Sequence, residues 1–183
     1  MIIGLLGKKR VGKDTVADYL VNNHNFRKET MATPLKDACG VIFGFNNDQL
    51  YGDLKETDDS VWNISPRKIL QYLGTDIFRK DIAKIIPDIG DKFWIKCMEN
   101  RINTIQKKNP KMNIVISDIR FDNEVDMVHK LNGIVIKIDR PSISNTDQHE
   151  SEANIDLIKS YDLIITNDKD YTHLYDEVDS IIK

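Results

Sequence analysis

The residues best suited to chemistry lie near the start of the chain, where Gly7–Lys13 reads G-K-K-R-V-G-K and matches the pattern G-x-x-x-x-G-K. An apolar run precedes the motif, and a helical pattern follows it. Glycines let the backbone turn tightly there, and successive N–H groups at the start of the helix then face an anion. Lys13 would reach the β and γ oxygens of a triphosphate. The motif predicts a phosphate-binding loop, and the alternative is a glycine-bearing turn between strand and helix.

The residue after Lys13 departs from this pattern, because Asp14 and then Thr15 stand where Ser or Thr usually binds Mg²⁺ through its hydroxyl group. A carboxylate is also a suitable Mg²⁺ ligand, although it adds negative charge beside a triphosphate. Asp14 is therefore a candidate for the metal, directly or through water. The alternative is that its carboxylate only stabilises the first turn of the helix.

Two further clusters follow predicted strands. Asp118 and Arg120 lie in the segment Ser117-Asp118-Ile119-Arg120 after the strand Ile114–Ile116. Asp118 could hold Mg²⁺ through water or accept a proton, and Arg120 could bind a phosphate with two parallel hydrogen bonds. The alternative is a surface ion pair or a helix cap. Lys36 follows the second predicted strand and could meet a phosphate, although an exposed helical lysine is usually only solvated.

A long helix is predicted over Pro66–Ile82, with one apolar face. Gly74 interrupts this helix and predicts a kink or a close approach, since glycine costs about 1 kcal/mol in a helix. Polar residues that could bind a ligand, or form a solvated face, lie on or near the helix: Arg67, Gln71, Gly74, Thr75, Asp76 and Arg79.

Polar residues also follow the last two strands. Arg140 and Pro141 end one strand, and the polar stretch Pro141–Asn154 predicts a flap or an acceptor-contacting loop. It contains one histidine and no second residue at metal-ligand spacing, which argues against zinc. Asn167 ends the last strand and would lie near a nucleotide base or form an ordinary Asx-turn.

Regular elements must position these residues. Continuous apolar runs predict strands buried on both faces of a parallel sheet, at Ile2–Leu6, Ile114–Ile116, Ile134–Ile138 and Leu163–Ile165, with a weaker strand at Phe26–Met31. Besides Pro66–Ile82, helical patterns occur at Thr15–Val21, Pro34–Phe43, Asp91–Lys107, Phe121–Leu131 and Thr172–Ile182. This alternation predicts an α/β domain with ligands at the carboxyl ends of its strands. The acidic stretch Asn46–Asn63 is predicted to be a surface excursion.

Bulk composition narrows the classes of function. The 183 residues, 40% of them hydrophobic, suit one compact domain. A net charge of -3 provides no basic field for nucleic acid or an anionic membrane. The short apolar start predicts a buried strand, neither a signal peptide nor a membrane span. Cys39 and Cys97 do not have the spacing of metal ligands, and two cysteines favour a reduced, cytoplasmic setting over a disulfide framework. Both are predicted to be small, buried hydrophobic residues.

Together these motifs resemble the deoxynucleoside monophosphate kinases of bacteriophages and large DNA viruses. The resemblance runs almost from end to end, although the chain is shorter than some phage members between Phe43 and Pro66. The motifs that carry it are Gly12-Lys13-Asp14-Thr15, Pro34-Leu35-Lys36-Asp37, Gln71-Tyr72-Leu73-Gly74-Thr75-Asp76, Trp94, Ser117-Asp118-Ile119-Arg120 with Asn123-Glu124, Arg140-Pro141, His149 with Glu152, and Ile165-Thr166-Asn167-Asp168. The sequence is also similar to phosphomevalonate kinases.

The resemblance implies a P-loop, three-layer α/β/α fold with a five-stranded parallel sheet, a helical acceptor-binding part around residues 33–108 and a flap around residues 141–154. It implies ATP contacts from Gly7, Lys8, Arg10, Val11, Gly12, Lys13, Asp14, Thr15 and Asn167, the last near the base. It implies acceptor contacts from Lys36, Arg67, Gln71, Gly74, Thr75, Asp76, Arg79 and Glu152. Lys13, Asp118, Arg120 and Arg140 are the implied catalytic residues.

The expected reaction is ATP + dNMP → ADP + dNDP with Mg²⁺. The expected partners are these two nucleotides, without nucleic acid or membrane, and a homodimer is left open. One alternative is a kinase for another phosphorylated acceptor, such as phosphomevalonate or dephospho-coenzyme A. The other is a nucleotide-gated binding switch, although the chain lacks the Asn-Lys-x-Asp signature of guanine binding.

Overall fold

A computed structural model of the chain describes residues 1–142 and 154–182. The strands are β1 (Ile2–Leu6), β2 (Phe26–Glu29), β3 (Asn113–Ile119), β4 (Ile134–Asp139) and β5 (Leu163–Thr166). The α-helices are α1 (Lys13–His24), α2 (Thr33–Phe43), α3 (Asn47–Leu50), α4 (Pro66–Gln71), α5 (Phe93–Lys108), α6 (Asp122–Lys130) and α7 (Tyr171–Ile182).

The five strands form one parallel sheet in the order β2-β3-β1-β4-β5. Strand β1 is central, with Leu6 opposite Ile119 of β3 on one side and opposite Lys137 of β4 on the other. The chain therefore leaves β1 between two neighbouring strands that end at the same edge. In open α/β sheets this is the point where ligands bind.

Helices cover both faces of the sheet. On one face the buried side chains of α1 and α7 pack with those of the sheet, among them Ile3, Leu5 and Ile136. On the other face α6 lies against β1 and β4. A side chain at Gly4 would have its Cβ 3.1 Å from Val128 of α6, so glycine lets this helix approach the strand closely. The predicted α/β class with a five-stranded parallel sheet is confirmed.

The chain divides into two compact units, residues 1–30 with 102–183, and residues 31–101. The first holds the sheet with α1, α6 and α7. The second is helical and contains α2, α3, α4 and the start of α5, with short 3-10 helices at Asp53–Glu56, Asp81–Lys84 and Gly90–Lys92.

The prediction of one long α-helix over Pro66–Ile82 is wrong. Helix α4 ends at Gln71, a π-helix continues over Tyr72–Lys80, and a 3-10 turn follows. Gly74 lies inside the π-helix, and its carbonyl oxygen accepts a hydrogen bond from the indole N–H of Trp94 at 3.0 Å. Glycine weakens the α-helix, and the tryptophan supplies a partner for a carbonyl group, so the regular hydrogen-bond pattern can change here.

Two smaller predictions also need correction. The β3 strand continues to Ile119, so Ser117 and Asp118 lie within it rather than after it. Strand β5 is not buried on both faces: it lies at the sheet edge, and Leu163 and Ile164 are 41% and 51% exposed. Periodicity cannot distinguish an edge strand from a central one when both are apolar.

The stretch predicted to be a surface excursion contains a short capped helix and a closed turn. Asn46 caps α3 through reciprocal hydrogen bonds with Gln49, and the Leu50 side chain is buried. The Asp59 carboxylate accepts hydrogen bonds from the N–H groups of Val61 and Trp62, which closes a turn. Within the described residues, no helix is long and apolar enough to span a membrane.

The cysteines agree with the prediction of small hydrophobic side chains. Cys39 is fully buried and Cys97 is partly buried, and both are free thiols. Burial raises the pKa of each thiol, which lowers its reactivity.

Candidate active site

The loop between β1 and α1 has the backbone of a phosphate-binding loop. Gly7, Arg10 and Gly12 all have positive φ angles, of 153°, 68° and 109°. Helix α1 starts at Lys13, and its N-cap residue is Gly12, which has no side chain that could bond the first N–H groups. Its first N–H groups therefore remain suited to phosphate oxygens.

The two glycines are required by close contacts as well as by backbone angles. A Cβ atom at Gly7 would lie 2.5 Å from the carbonyl oxygen of Ile138, at the end of β4. A Cβ atom at Gly12 would lie 2.6 Å from the side-chain nitrogen of Asn167. The loop thus packs directly against the end of β4 and against the residue that follows β5.

Lys13 reaches across the loop. Its Nζ atom donates hydrogen bonds to the carbonyl oxygens of Gly7 at 2.6 Å and Lys8 at 2.7 Å. This holds the ammonium group over the space that the loop encloses. The Lys8 side chain forms an ion pair of 2.6 Å with Asp156, which the sequence analysis did not identify.

Asp14 lies on the first turn of α1 and its side chain is 80% exposed. A carboxylate oxygen lies 2.9 Å from Nζ of Lys28, which also pairs with Asp18 at 2.9 Å. The two carboxylates are four residues apart and so lie on one face of the helix. Thr15 is partly buried beside them.

The other charged candidates of this unit follow the same sheet edge. Asp118 is partly buried near the end of β3, one residue before the position paired with Leu6. The N–H group of Arg120 donates a 2.7 Å hydrogen bond to Oε2 of Glu124, a buried carboxylate on α6. Arg140 directly follows β4 and is exposed.

A magnesium ion needs hard oxygen ligands, and in kinases it usually takes one or two carboxylates together with phosphate oxygens and waters. Asp118 meets this requirement. Asp14 would have to exchange its contact with Lys28 for the metal. Residues 1–142 and 154–182 contain no cluster of three or more His, Cys, Asp or Glu side chains suited to a metal.

Asn167 directly follows β5 and is 8% exposed. Its side-chain nitrogen donates a 2.9 Å hydrogen bond to the carbonyl oxygen of Val11. Its N–H group donates to the carbonyl oxygen of Asp139, so β4 also fixes this residue. The next helix is capped by Asp170, whose carboxylate accepts a hydrogen bond from the N–H group of His173 in the first turn of α7.

The candidates for acceptor binding lie in the second unit. Gly74, Thr75, Asp76 and Arg79 belong to the π-helix. Such helices often occur at functional sites because the extra residue per turn displaces side chains from their α-helical positions. Gln71 and Thr75 are exposed, and Arg79 is partly buried. Asp76 pairs with Lys80 at 2.7 Å, so it is already neutralised.

The remaining basic candidates of this unit lie near aromatic or acidic side chains. The Nζ atom of Lys36 lies 3.9 Å from the centre of the Tyr51 ring, a cation–π distance. The Arg67 guanidinium pairs with Glu56 at 2.7 Å. Burial, followed by the charge of Arg67, lowers the pKa of Lys55, which places two cations in one neighbourhood.

Some predicted residues cannot be placed. Glu152, His149 and most of the predicted flap lie outside the described residues. Lys28, Lys55 and Asp156 were not predicted from the sequence. Each is an isolated charge in the sequence, and only the tertiary structure shows which distant residue lies next to it. Glu29, a buried carboxylate at the end of β2 that bonds Arg27 at 2.7 Å, was not predicted either.

The chain matches a family model for deoxynucleotide monophosphate kinase over residues 1–58 and 45–178. A protein of Acanthamoeba polyphaga mimivirus, provisionally named as this kinase, is 40% identical over all of this chain and 96% of its own length. The deoxynucleotide monophosphate kinase of Enterobacteria phage T4 is 24% identical over all of this chain and 98% of its own length.

Solved structures agree on the fold. Dephospho-CoA kinase from Campylobacter jejuni superposes with a TM-score of 0.52 over 99% of this chain and 94% of its own, at 18% identity. This likeness supports the predicted kinase-like P-loop fold and carries no information on the acceptor. The sequence matches identify the enzyme class: the chain belongs to the deoxynucleotide monophosphate kinase family.

Proposed function

We propose that this kinase transfers the γ-phosphoryl group of ATP to a deoxynucleoside monophosphate, giving ADP and the deoxynucleoside diphosphate. The names of its relatives support this choice of acceptor. The mimivirus protein and the T4 enzyme are both named as deoxynucleotide monophosphate kinases, and both align over the whole of this chain. The position of Lys13 supports ATP as the phosphoryl donor, because its Nζ atom donates hydrogen bonds to two carbonyl groups of the loop at the edge of the sheet.

On the donor side, the loop binds the triphosphate by backbone N–H groups and positive charge. The start of α1, where the N-cap residue is a glycine, offers N–H groups to the β-phosphate, and Lys13 leaves the carbonyl oxygens of Gly7 and Lys8 to contact the β and γ oxygens. Lys8 and Arg10 add charge, and Val11 and Thr15 belong to the loop and the turn that follows it. These contacts hold the γ-phosphorus in place for in-line attack.

Mg²⁺ would be held by Asp118, directly or through water, with Asp14 as a second carboxylate once it leaves Lys28. When bound, the ion neutralises charge on the β- and γ-phosphates. The protein residues contribute the oxygen ligands and their orientation.

Transfer forms a bond between an oxygen of the acceptor phosphate and the γ-phosphorus, while the bond to the β–γ bridging oxygen breaks and ADP leaves. A phosphate monoester is mostly dianionic at pH 7, since its second pKa is about 6, so the attacking oxygen needs no general base. Arg120 and Arg140 neutralise the equatorial oxygens as charge spreads over them. Glu124 holds the backbone of Arg120 in place through its 2.7 Å hydrogen bond.

On the acceptor side, the helical part around residues 33–108 binds the monophosphate. Lys55 and Arg67 bind its phosphate group: burial first, and then the charge of Arg67, lower the pKa of Lys55, and a bound phosphate would offset the repulsion between these two cations. The polar residues of the π-helix and Lys36 contact the nucleoside. A net charge of -3 argues against a nucleic acid or a membrane as partner, and a homodimer is left open.

ADP release measured with and without an acceptor tests this function. A kinase releases more ADP as the concentration of deoxynucleoside monophosphate increases. A binding switch hydrolyses ATP at a rate that does not depend on the concentration of deoxynucleoside monophosphate. Lys13→Ala should reduce the rate at least a hundredfold, with Lys107→Ala, an exposed lysine on α5, as the matched control. If Lys13→Ala keeps most of the activity, the assignment of the phosphate loop is wrong.

A further inference from the structure

Asn167 is attached to the phosphate loop from a distant part of the chain. Its side-chain N–H group bonds the carbonyl oxygen of Val11 at 2.9 Å, across 156 residues of sequence, and both side chains are buried. Its backbone N–H group bonds the Asp139 carbonyl oxygen at 2.7 Å. The residue therefore connects the loop after β1 to the ends of β4 and β5.

The same amide group fills the space beside Gly12. A Cβ atom at Gly12 would approach the Asn167 side-chain nitrogen to 2.6 Å, a distance that real Cβ atoms do not show. Gly12 also has a φ of 109°, which side chains rarely adopt. Asn167 thus contacts the loop at two successive residues, just before Lys13.

We infer that Asn167 is a positioning residue for the phosphate loop: its side-chain amide fixes the Val11–Gly12 peptide, so that the loop N–H groups and Lys13 face the triphosphate. This inference rests on the proposed function, because it assumes that the loop binds a triphosphate. It differs from the expected contact between Asn167 and the base, because it assigns the bonded side-chain N–H group to the loop backbone rather than to the nucleotide.

The two roles predict different ligand dependence. If Asn167 orders the loop, its removal weakens every ligand that places phosphates there, including inorganic tripolyphosphate, which has no base. If Asn167 contacts the base, its removal weakens ATP and leaves tripolyphosphate unchanged. A third role, in stability alone, lowers the unfolding temperature and leaves both affinities of the folded protein unchanged.

The experiment measures dissociation constants for ATP and tripolyphosphate by calorimetry, together with unfolding temperatures. The variants are Asn167→Ala and Asn167→Leu, because Leu branches at Cγ as Asn does, removes the N–H donor and adds no charge beside the triphosphate. We expect both constants to rise by about tenfold and by equal factors in each variant, since the buried Val11 carbonyl loses its partner. Asn23→Ala removes an exposed amide on α1, which donates to the Tyr19 carbonyl oxygen at 3.1 Å, and should change neither constant.

A selective loss of ATP affinity, or no loss of either affinity in folded protein, would overturn the inference. If Asn167→Ala does not fold, the uncharged Asn167→Leu, which keeps the branch at Cγ, decides the question. The wild-type protein supplies the separate test of the proposed function. If tripolyphosphate does not compete with ATP there, the assignment of the phosphate loop fails regardless of Asn167.

Discussion

The Nζ atom of Lys28 lies 2.9 Å from a carboxylate oxygen of Asp14 and 2.9 Å from one of Asp18. Asp14 stands where related loops carry the Ser or Thr that binds Mg²⁺. In this family member a carboxylate at that position is therefore balanced by a lysine from β2. The lysine offsets the repulsion that an unbalanced Asp14 would exert on a triphosphate.

Replacing Asp14 tests whether it contributes to metal binding. We expect Asp14→Ala to raise the Mg²⁺ concentration for half-maximal rate by severalfold, and Asp14→Ser to recover part of the loss, because a hydroxyl group is also a hard oxygen ligand. The measurement is a Mg²⁺ titration of the rate at fixed ATP.

Asp18 provides the matched control, since it bonds the same lysine at the same distance but lies one turn further along α1. Asp18→Ala should leave the Mg²⁺ titration unchanged. Superimposable curves for wild type and both Asp14 variants would instead mean that Asp14 only stabilises the first turn of the helix.

Arg120 should be sensitive to the shape of its side chain. We expect Arg120→Lys to lose roughly 10- to 100-fold in kcat although the charge is kept, since lysine cannot form two parallel hydrogen bonds to a phosphate. Steady-state kinetics give the answer, and Lys130→Arg, the reverse exchange at an exposed position of α6, serves as the control. Unchanged kinetics in Arg120→Lys would remove Arg120 from the reaction.

Lys55 should affect the acceptor and not the donor. We expect Lys55→Ala to raise KM for the deoxynucleoside monophosphate by about tenfold, the cost of one charge-assisted hydrogen bond, while KM for ATP stays constant. The control is Lys68→Ala, which removes an exposed lysine next to Arg67 in sequence. Equal effects on the two substrates would contradict an acceptor role for Lys55.

A pH-dependent part of the stability is expected from Asp162, which accepts hydrogen bonds from the Val135 N–H group at 2.6 Å and pairs with His129 at 2.9 Å. Burial alone would raise the pKa of Asp162, but these two partners outweigh it and hold the pKa below its usual value. A depressed pKa means that this stabilisation is complete above the unfolded value of about 3.9 and is lost as the pH falls below it.

Urea unfolding at pH 7 and pH 3 measures this effect with wild type and Asp162→Asn, which keeps an acceptor for Val135. Because the Asp162 side chain is 40% exposed, solvent screening limits the difference to about 1 kcal/mol or less. The wild type should be the more stable at pH 7, and the gap should shrink at pH 3. A gap that is the same at both values would show that the charge of Asp162 does not matter.

Sequence patterns revealed the sheet and the loop because these depend on local signals. Continuous apolar runs marked four of the five strands, a weaker pattern marked β2, and the glycine spacing of Gly7–Lys13 indicated the loop. The π-helix was not predicted, because the periodic apolar face of this segment fits an α-helix as well as a π-helix. What changes its hydrogen bonding is Trp94, whose contact with Gly74 depends on the tertiary structure.

The site was predicted as a set of residue types rather than as a set of contacts. Asn167 was expected near the loop's ligand, but its bond to Val11 joins positions 156 residues apart and leaves no local pattern. Lys28 and Asp156 were missed for the same reason, because an isolated charge gains a role only from the partner that the fold brings to it.

The identity of the phosphoryl acceptor can be tested by an ADP-release assay with purified protein, ATP and Mg²⁺. Its arms are the deoxynucleoside monophosphates, the corresponding ribonucleoside monophosphates, phosphomevalonate and dephospho-coenzyme A. We expect a deoxynucleoside monophosphate to give the highest kcat/KM of these acceptors, and we expect Lys13→Ala to abolish ADP release. Robust turnover of phosphomevalonate or dephospho-coenzyme A, with none of any deoxynucleoside monophosphate, would contradict it.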